Sequence, residues 1–231
     1  SKNKLKRFRE NESFGNVIQP SRQEVINGNF EHRGRWDEYF GNSHPIVLEL
    51  GCGKGEYTVG LAKKFPECNY IGVDIKGSRM WKGASTVHHE AIKNVAFVRT
   101  RIEFIERFFD RHEVDEIWLT FPDPQLKRRR HKKRLTGARF LNAYQTFLKP
   151  DGSVHLKTDS HELYHDLLGL LAFNGIDPAV ATDHLYGRGP VDEPSALKTF
   201  YEQQFLEEGK KITYIHFKLP GGITIKECSN T

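Results

Sequence analysis

The segment PIVLEL (45–50) runs directly into GCGKG (51–55), and the same change from a short apolar run to a polar or flexible loop recurs along the chain. NYIGVDI (69–75), VAFVRT (95–100), EIWLTF (116–121) and SVHLKT (153–158) read as further strands. Residues 55–65, 77–91, 102–110 and 160–173 read as the helices between and after them. In TGARFLNAYQTFLKPDG, Phe140, Leu141, Tyr144, Phe147 and Leu148 recur at helical spacing until Pro150 and Gly152 end it. A helix over 199–208 precedes KITYIHFKL (211–219), which alternates as a strand. Strands alternating with helices predict an α/β domain, a mainly parallel sheet with helices on both faces. Such sheets bind ligands outside the carboxyl ends of their strands, where the strand order reverses. That rule selects Glu49 to Gly55, Asp74, Thr100 and Arg101, Phe121 to Pro124, and Lys157 to Ser160.

The glycine loop says what kind of ligand to expect. Glycine costs backbone entropy and packs no side chain, so three at alternate positions point to a close approach to the backbone. The loop is neither G-x-G-x-x-G nor a phosphate loop ending in Gly-Lys-Ser/Thr. Asp74 ends the next strand, 23 residues after Gly51, where a carboxylate accepts from both hydroxyls of a ribose. Tight glycines (Gly51, Gly53), an early acid (Glu49) and no phosphate cradle suit a nucleoside cofactor without phosphates. S-adenosylmethionine fits, with its amino acid end on the glycine backbone and acids near its sulfonium. Cys52 in this loop reads as a small filler residue.

The 231 residues carry a formal net charge of +5. KRRRHKKR (127–134) holds seven Lys/Arg and SKNKLKRFR (1–9) holds five, neither with an acid, and the remainder sums to −7. A positive excess confined to two short segments points to a polyanion partner such as nucleic acid. Cys52, Cys68 and Cys228 form no C-x-x-C pair, which speaks for a reduced, cytoplasmic setting without a disulfide framework or structural zinc. No apolar run reaches the ~20 residues of a membrane span, and the first ten residues lack the apolar centre of a secretory signal. His88-His89-Glu90 has no second cluster of matching spacing, so no metal is expected. The choice between monomer and homodimer is left open.

FPDP (121–124) follows the fourth strand, with two prolines framing Asp123, and QLKRRRHKKRL follows at once. Together with LELGCGKGEYTVGLAKKFP, YIGVDIK, LKTD and TFYEQQF, this stretch resembles the bacterial tRNA (guanine-N7) methyltransferases over about residues 36–219. The resemblance implies a Rossmann-like class I methyltransferase fold with an antiparallel last strand. It implies transfer of a methyl group from S-adenosylmethionine to N7 of a variable-loop guanine in tRNA. Residues 1–30, polar and broken by Gly15, Pro20 and Gly28, read as a basic, flexible extension before the methyltransferase domain (31–220), with a C-terminal tail at 221–231. Carried over position by position, the resemblance implies cofactor roles for Glu49 and Asp74, next to the Gly51 and Gly53 already read from the loop, and a catalytic or substrate-orienting role for Asp123, beside or within the cofactor site. It further implies RNA or base contacts for Lys127, Asp159 and Thr199 to Glu202; the concentrated charge of the same basic stretch assigns Arg128, Arg129 and Arg130 to the phosphate backbone. The chain departs from the family pattern twice. Gln125 stands where a tryptophan usually follows FPDP, and Arg101 stands where an acid often follows the third strand; backbone groups of Thr100 and Arg101 are the alternative there.

The chemistry agrees with the resemblance. N7 of guanine carries a lone pair and no proton, so no deprotonating triad is required, and alignment of donor with acceptor supplies much of the rate. The product base is cationic, and a fixed carboxylate such as Asp123 favours that developing charge. Two other readings remain open at this level. One is methylation of an exocyclic amine in DNA or another RNA, since FPDP loosely resembles D-P-P-aromatic motifs. The other is a non-catalytic RNA-binding protein. Two bland readings also stand: Asp159-Ser160 as a helix cap, and Thr199-x-x-Glu202 as a capping box.

Overall fold

The computed structural model describes residues 2–187 and 192–228. In chain order the elements are helix α1 (Lys2–Ser13), strand β1 (Val17–Ile18), α2 (Arg22–Asn27), α3 (Trp36–Phe40), β2 (Ile46–Leu50), α4 (Glu56–Lys64), β3 (Asn69–Asp74), α5 (Gly77–His89), β4 (Val95–Arg99), β5 (Val114–Thr120), α6 (Ala138–Tyr144), β6 (Leu148–Thr158), α7 (His161–Phe173), β7 (Val180–Thr182), α8 (Glu193–Ala196), α9 (Phe200–Glu207) and β8 (Thr213–Lys218). Two 3-10 helices, Ile102–Arg107 and Arg128–Lys133, complete the set.

The sheet runs β1-β4-β3-β2-β5-β6-β8-β7. β1 to β6 pair in parallel, and β8 runs antiparallel to both β6 and β7. Chain order reverses between β2 and β5: β3 and β4 lie to one side of β2, β5 and β6 to the other. The loops leaving β2 and β5 therefore open at the switch point, where α/β sheets bind ligands.

Alternation along the strands assigns the two faces. Ile46, Leu48 and Leu50 of β2 pack with α3, α6 and α7 residues such as Trp36, Leu141 and Leu167. Val47 faces the opposite layer, with Tyr57 and Leu61 of α4 and Met80 of α5. Glu49 is on this second face, which brings its carboxylate under α4.

The first thirty residues depart from the mobile extension expected of them. Phe8 and Asn11 of α1, with Phe14 just after it, form an inward stripe; the Asn11 side chain donates to Gly77 O at 2.8 Å, and the Trp81 indole donates to Glu10 at 2.7 Å. β1 adds a parallel strand to the sheet edge, and a Ser21/Glu24 capping box starts α2. The polar composition hid one apolar stripe. Lys4, Lys6, Arg7 and Arg9 lie on its exposed side. At the other end, residues 221–228 run between α6 and α7: Asn142 exchanges hydrogen bonds with the Ile225 backbone, Asn174 does so with Lys226, and the Glu227 carboxylate accepts the Ala138 N–H. Three smaller differences follow. IEFIERFFD forms a 3-10 helix only over 102–107, α6 stops at Tyr144 so that Phe147 and Leu148 belong to the turn and to β6, and the short edge strand β7 carried no signal of its own.

Candidate active site

The glycine loop has two jobs. Gly51, Gly53 and Gly55 all adopt left-handed φ, of 85°, 55° and 70°. At Gly55 the close neighbour is protein: an added Cβ would lie 2.6 Å from the Phe97 ring and 3.4 Å from Gly83 Cα in α5. At Gly51 an added Cβ would meet only Leu135, at 4.0 Å, and at Gly53 only the Gly51 carbonyl, at 3.9 Å. Those two positions have no neighbour closer than ordinary contact distance. Asp74 holds the loop in this shape, its Oδ2 accepting the Gly53 N–H at 3.0 Å and its Oδ1 the Lys76 N–H at 2.7 Å.

Two cavities meet at Gly51. The first, of about 320 Å³, is lined by Glu49, Gly51, Gly53, Thr120, Thr199 and Tyr201, among others. The second, of about 290 Å³, is lined by Gly51, Asp74, Thr100, Arg101, Gln125 and Leu135, among others. The pair suits an elongated molecule with its waist at the Gly51 backbone.

Glu49 is fully enclosed. Its Oε2 accepts from the Thr58 N–H at 3.0 Å and the Thr58 hydroxyl at 2.5 Å, and its Oε1 from the Thr120 hydroxyl at 2.5 Å. Burial pushes its pKa up to about 7, against the opposing pull of the threonine hydrogen bonds. Burial likewise raises the Cys52 thiol well above its usual range, helped by Glu49 and Asp74, in keeping with an inert filler residue.

The loop after β5 links the two cavities. Phe121 lines the first and Gln125 the second, and Asp123 sits midway between them in the chain. Asp123 is exposed, with Oδ1 accepting the Gln125 N–H at 3.0 Å. Phe121 and Gln125 both hold positive φ, 49° and 48°, a conformation that non-glycine residues adopt at a cost and that collects at functional sites.

A family model described as "Putative methyltransferase" matches residues 43–215. The tRNA (guanine-N(7)-)-methyltransferase of Christiangramia forsetii is 56% identical over 221 residues, covering 95% of this chain and 99% of that one. The chain belongs to the tRNA (guanine-N(7)-)-methyltransferase family. The Bacteroides thetaiotaomicron protein of the same name is 51% identical over 220 residues, covering 95% of this chain and 86% of its own length. Among solved structures, the 16S rRNA methyltransferase KamB superposes with a TM-score of 0.61 at 16% identity, covering 81% of this chain and 93% of that one. That likeness is one of fold and bears out the methyltransferase architecture, and β8, antiparallel to β6 and β7, bears out the antiparallel last strand.

The residues implied by this tRNA methyltransferase family fall into three groups. Glu49, Gly51, Gly53 and Thr199 line the first cavity, and Asp74, Thr100 and Arg101 the second. Lys127 and Arg128 to Arg130 are exposed on and just before the 3-10 helix that follows the Asp123 loop. Asp159 and Glu202 line neither cavity. Asp159 pairs with Lys210 at 3.4 Å, and the helix cap there is Ser160. Glu202 corrects the expectation of an RNA contact, because its side chain is wholly buried and ion-paired with Lys157. It also completes the capping box with Thr199.

Other participants carried little sequence signal. Arg134, the last cation of the basic run, is buried; it donates to the Pro124 carbonyl at 2.8 Å and pairs with Glu162 and Asp166 of α7. It fastens the FPDP loop to the fold and leaves the other cations outward. Lys54 lies over the Phe200 and Tyr201 rings at 4.5 and 4.8 Å, and Glu56 accepts the Phe200 N–H at 3.0 Å. These contacts clasp the start of α9 across the glycine loop. His88, His89 and Glu90 each have other partners: Phe14, Ser85 and Lys63. Among the described residues no group of three or more His, Cys, Asp or Glu is placed to hold a metal, and no helix is long and apolar enough to cross a membrane.

Proposed function

We propose that the chain transfers the methyl group of S-adenosylmethionine to N7 of a guanine in the variable loop of tRNA, forming 7-methylguanosine. The observation that carries the reading is the meeting of the two cavities at the side-chain-free face of Gly51, beside the loop that bears Asp123. The donor set fits the cofactor. Asp74 suits the ribose hydroxyls, the second cavity the adenine, and the first cavity, with Glu49 in its wall, the amino acid end with its cations.

The cofactor supplies an electrophilic methyl group on a sulfonium. What remains for the protein is alignment and charge. Guanine N7 carries a lone pair and no proton, so with the cofactor bound the protein would have to align acceptor and methyl group and would need no general base. The base becomes cationic. Asp123, held by the Gln125 N–H through Oδ1, leaves Oδ2 to accept from the base and to favour the new charge. Lys127 and Arg128 to Arg130 engage the tRNA backbone beside it, and the exposed cations of α1 extend the same electrostatic attraction. Residues 31–220 form the catalytic unit, in a reduced cytoplasmic setting.

Incubation with labelled S-adenosylmethionine and unmodified tRNA, followed by mass spectrometry of the nucleosides, tests this reading. 7-Methylguanosine is expected. An N-methylated exocyclic amine would favour the rival methyltransferase reading, and no transfer with intact tRNA binding would favour a non-catalytic RNA-binding protein.

A further inference from the structure

A chain of four polar side chains crosses the apolar layer that holds Tyr57 and Met80. Glu116 of β5, His155 of β6, Tyr214 of β8 and Asp192, just before α8, form it. His155 and Tyr214 are buried. The His155 ring stacks between Trp118 at 4.1 Å and His216 at 4.2 Å. Its Nδ1 lies 2.8 Å from the Tyr214 hydroxyl, which donates to Asp192 Oδ2 at 3.2 Å. Its Nε2 lies 3.4 Å from Glu116 Oε1 and makes no hydrogen bond among the described residues. The same Glu116 oxygen accepts the Trp118 indole N–H, and His216 Nε2 is 3.1 Å from the Ser153 hydroxyl.

Counting protons explains the uneven spacing. The contacts Glu116–His155, His155–Tyr214 and Tyr214–Asp192 need three protons, and a neutral imidazole and a phenol bring two. The Tyr214 proton goes to Asp192, so the imidazole proton sits on Nδ1. The Nε2 lone pair is left facing a carboxylate. Burial, with His216 and Lys218 beside it, holds the His155 pKa well below its usual value, and burial raises that of Glu116. The two groups therefore compete for one missing proton.

The far end of the chain reaches the active site. Asp192 Oδ1 accepts the Ser195 N–H at 2.7 Å and caps α8. The Ser195 and Leu197 carbonyls accept from Lys157, which lies two residues along β6 from His155 and so on the same face. Thr199 and Tyr201 of the first cavity follow at once.

We propose that Glu116, His155, Tyr214 and Asp192 are a proton-sharing chain that positions residues 192–201 against the first cavity, and that a proton taken up between Glu116 and His155 tightens it. An imidazolium donates to Glu116 and to Tyr214 together, and the tyrosine becomes a stronger donor to Asp192. This role rests on the cofactor reading of the first cavity, whereas the measurements that test the chain need neither cofactor nor tRNA.

Nitrogen-15 NMR of the histidine rings in the full chain, from pH 8 to pH 5, reads the protonation. Amide hydrogen exchange over 193–202, corrected for its intrinsic pH dependence, reads the positioning. At pH 8 His155 should carry its proton on Nδ1 with Nε2 bare. As the pH falls Nε2 should gain a proton, and exchange over 193–202 should slow in step by about threefold. Tyr214→Phe, which removes only the hydroxyl, should keep a ring titration and lose the response of the exchange. Glu116→Gln, whose amide donates to Nε2, should leave Nε2 without a proton at pH 5 and the exchange flat. Thermal melting reports whether each variant is folded. A ring protonated on Nε2 at pH 8, or one that stays neutral down to pH 5, overturns the proposal. So does exchange that ignores the titration in the wild type, or that follows it equally in Tyr214→Phe. A chain that behaves as proposed in a protein that binds no S-adenosylhomocysteine would bring down the cofactor reading alone.

Discussion

Lys157 and Glu202 approach to 2.8 Å with neither side chain exposed to solvent. Lys157 Nζ also donates to the Ser195 and Leu197 carbonyls, at 2.9 Å each, and Glu202 also accepts the Tyr186 hydroxyl at 2.5 Å. Every proton of the ammonium thus has an acceptor. The pair ties the segment before α9 to β6 and so positions Thr199 and Tyr201 on the first cavity. Lys157→Met or Glu202→Gln leaves a buried partner uncompensated and should cost about 3–5 kcal/mol. The double variant should cost less than the sum of the two. Urea denaturation measures this. A Glu202→Gln protein of wild-type stability with a defect only in tRNA binding would return Glu202 to the RNA surface.

Glu49 predicts a pH dependence with a definite sign. Its folded pKa of about 7 lies above the ordinary 4.5. Its contribution to stability is therefore complete below about pH 4.5 and is lost as the pH rises to about 7. Glu49→Gln should escape that loss, gaining about 3 kcal/mol on the wild type above pH 7 and little at pH 4.5. Ligand binding should run the opposite way. An ionised Glu49 facing a cationic amine makes affinity for S-adenosylhomocysteine rise toward pH 7, by up to about tenfold per unit below it. Calorimetry between pH 5.5 and 7.5 should show this in the wild type and a flat profile in Glu49→Gln; a flat wild-type profile would remove Glu49 from the amino acid end.

Asp74 is assigned to the ribose, yet it also shapes the loop through the Gly53 and Lys76 N–H groups. Asp74→Ala should therefore weaken S-adenosylhomocysteine binding by about 1–3 kcal/mol, the range for hydrogen bonds to a charged group. Asp74→Asn, which retains one acceptor oxygen, should lose less. Unchanged affinity in a folded Asp74→Ala protein would sink the assignment.

For the basic run, replacing Arg128, Arg129 and Arg130 with glutamine should weaken tRNA binding and lower its salt slope by about one unit per lost phosphate contact, with cofactor affinity unchanged. Arg134→Gln should act differently, through stability, because that guanidinium is internal. If the triple variant keeps the wild-type slope, the 3-10 helix is only a solvated face.

Much of this was legible in the sequence because the relevant features are local. A strand ending in Glu49 and glycine, a strand ending in Asp74, and prolines around Asp123 lie within a few residues of the structure they specify. What the sequence withheld depends on distant partners. The capping box of Thr199 and Glu202 could be read, but no local pattern announces a lysine 45 residues earlier that buries the carboxylate. Gly55 looked like its neighbours, and only the position of Phe97 and Gly83 shows that its missing side chain serves packing. Gln125 read as a departure from a pattern, and its positive φ became visible only in the structure.

The most direct test of the central claim replaces the acceptor atom. tRNA with 7-deazaguanosine at the methylated position keeps the base-pairing edge and the phosphate backbone but has carbon and hydrogen in place of the N7 lone pair. Single-turnover transfer from labelled S-adenosylmethionine should be abolished with this tRNA while its binding stays close to that of the unmodified one. Asp123→Asn on ordinary tRNA should instead slow the step by about 10²–10³ without abolishing it. Undiminished methyl transfer to the deaza tRNA would contradict N7 as the acceptor and return the chain to the exocyclic-amine reading.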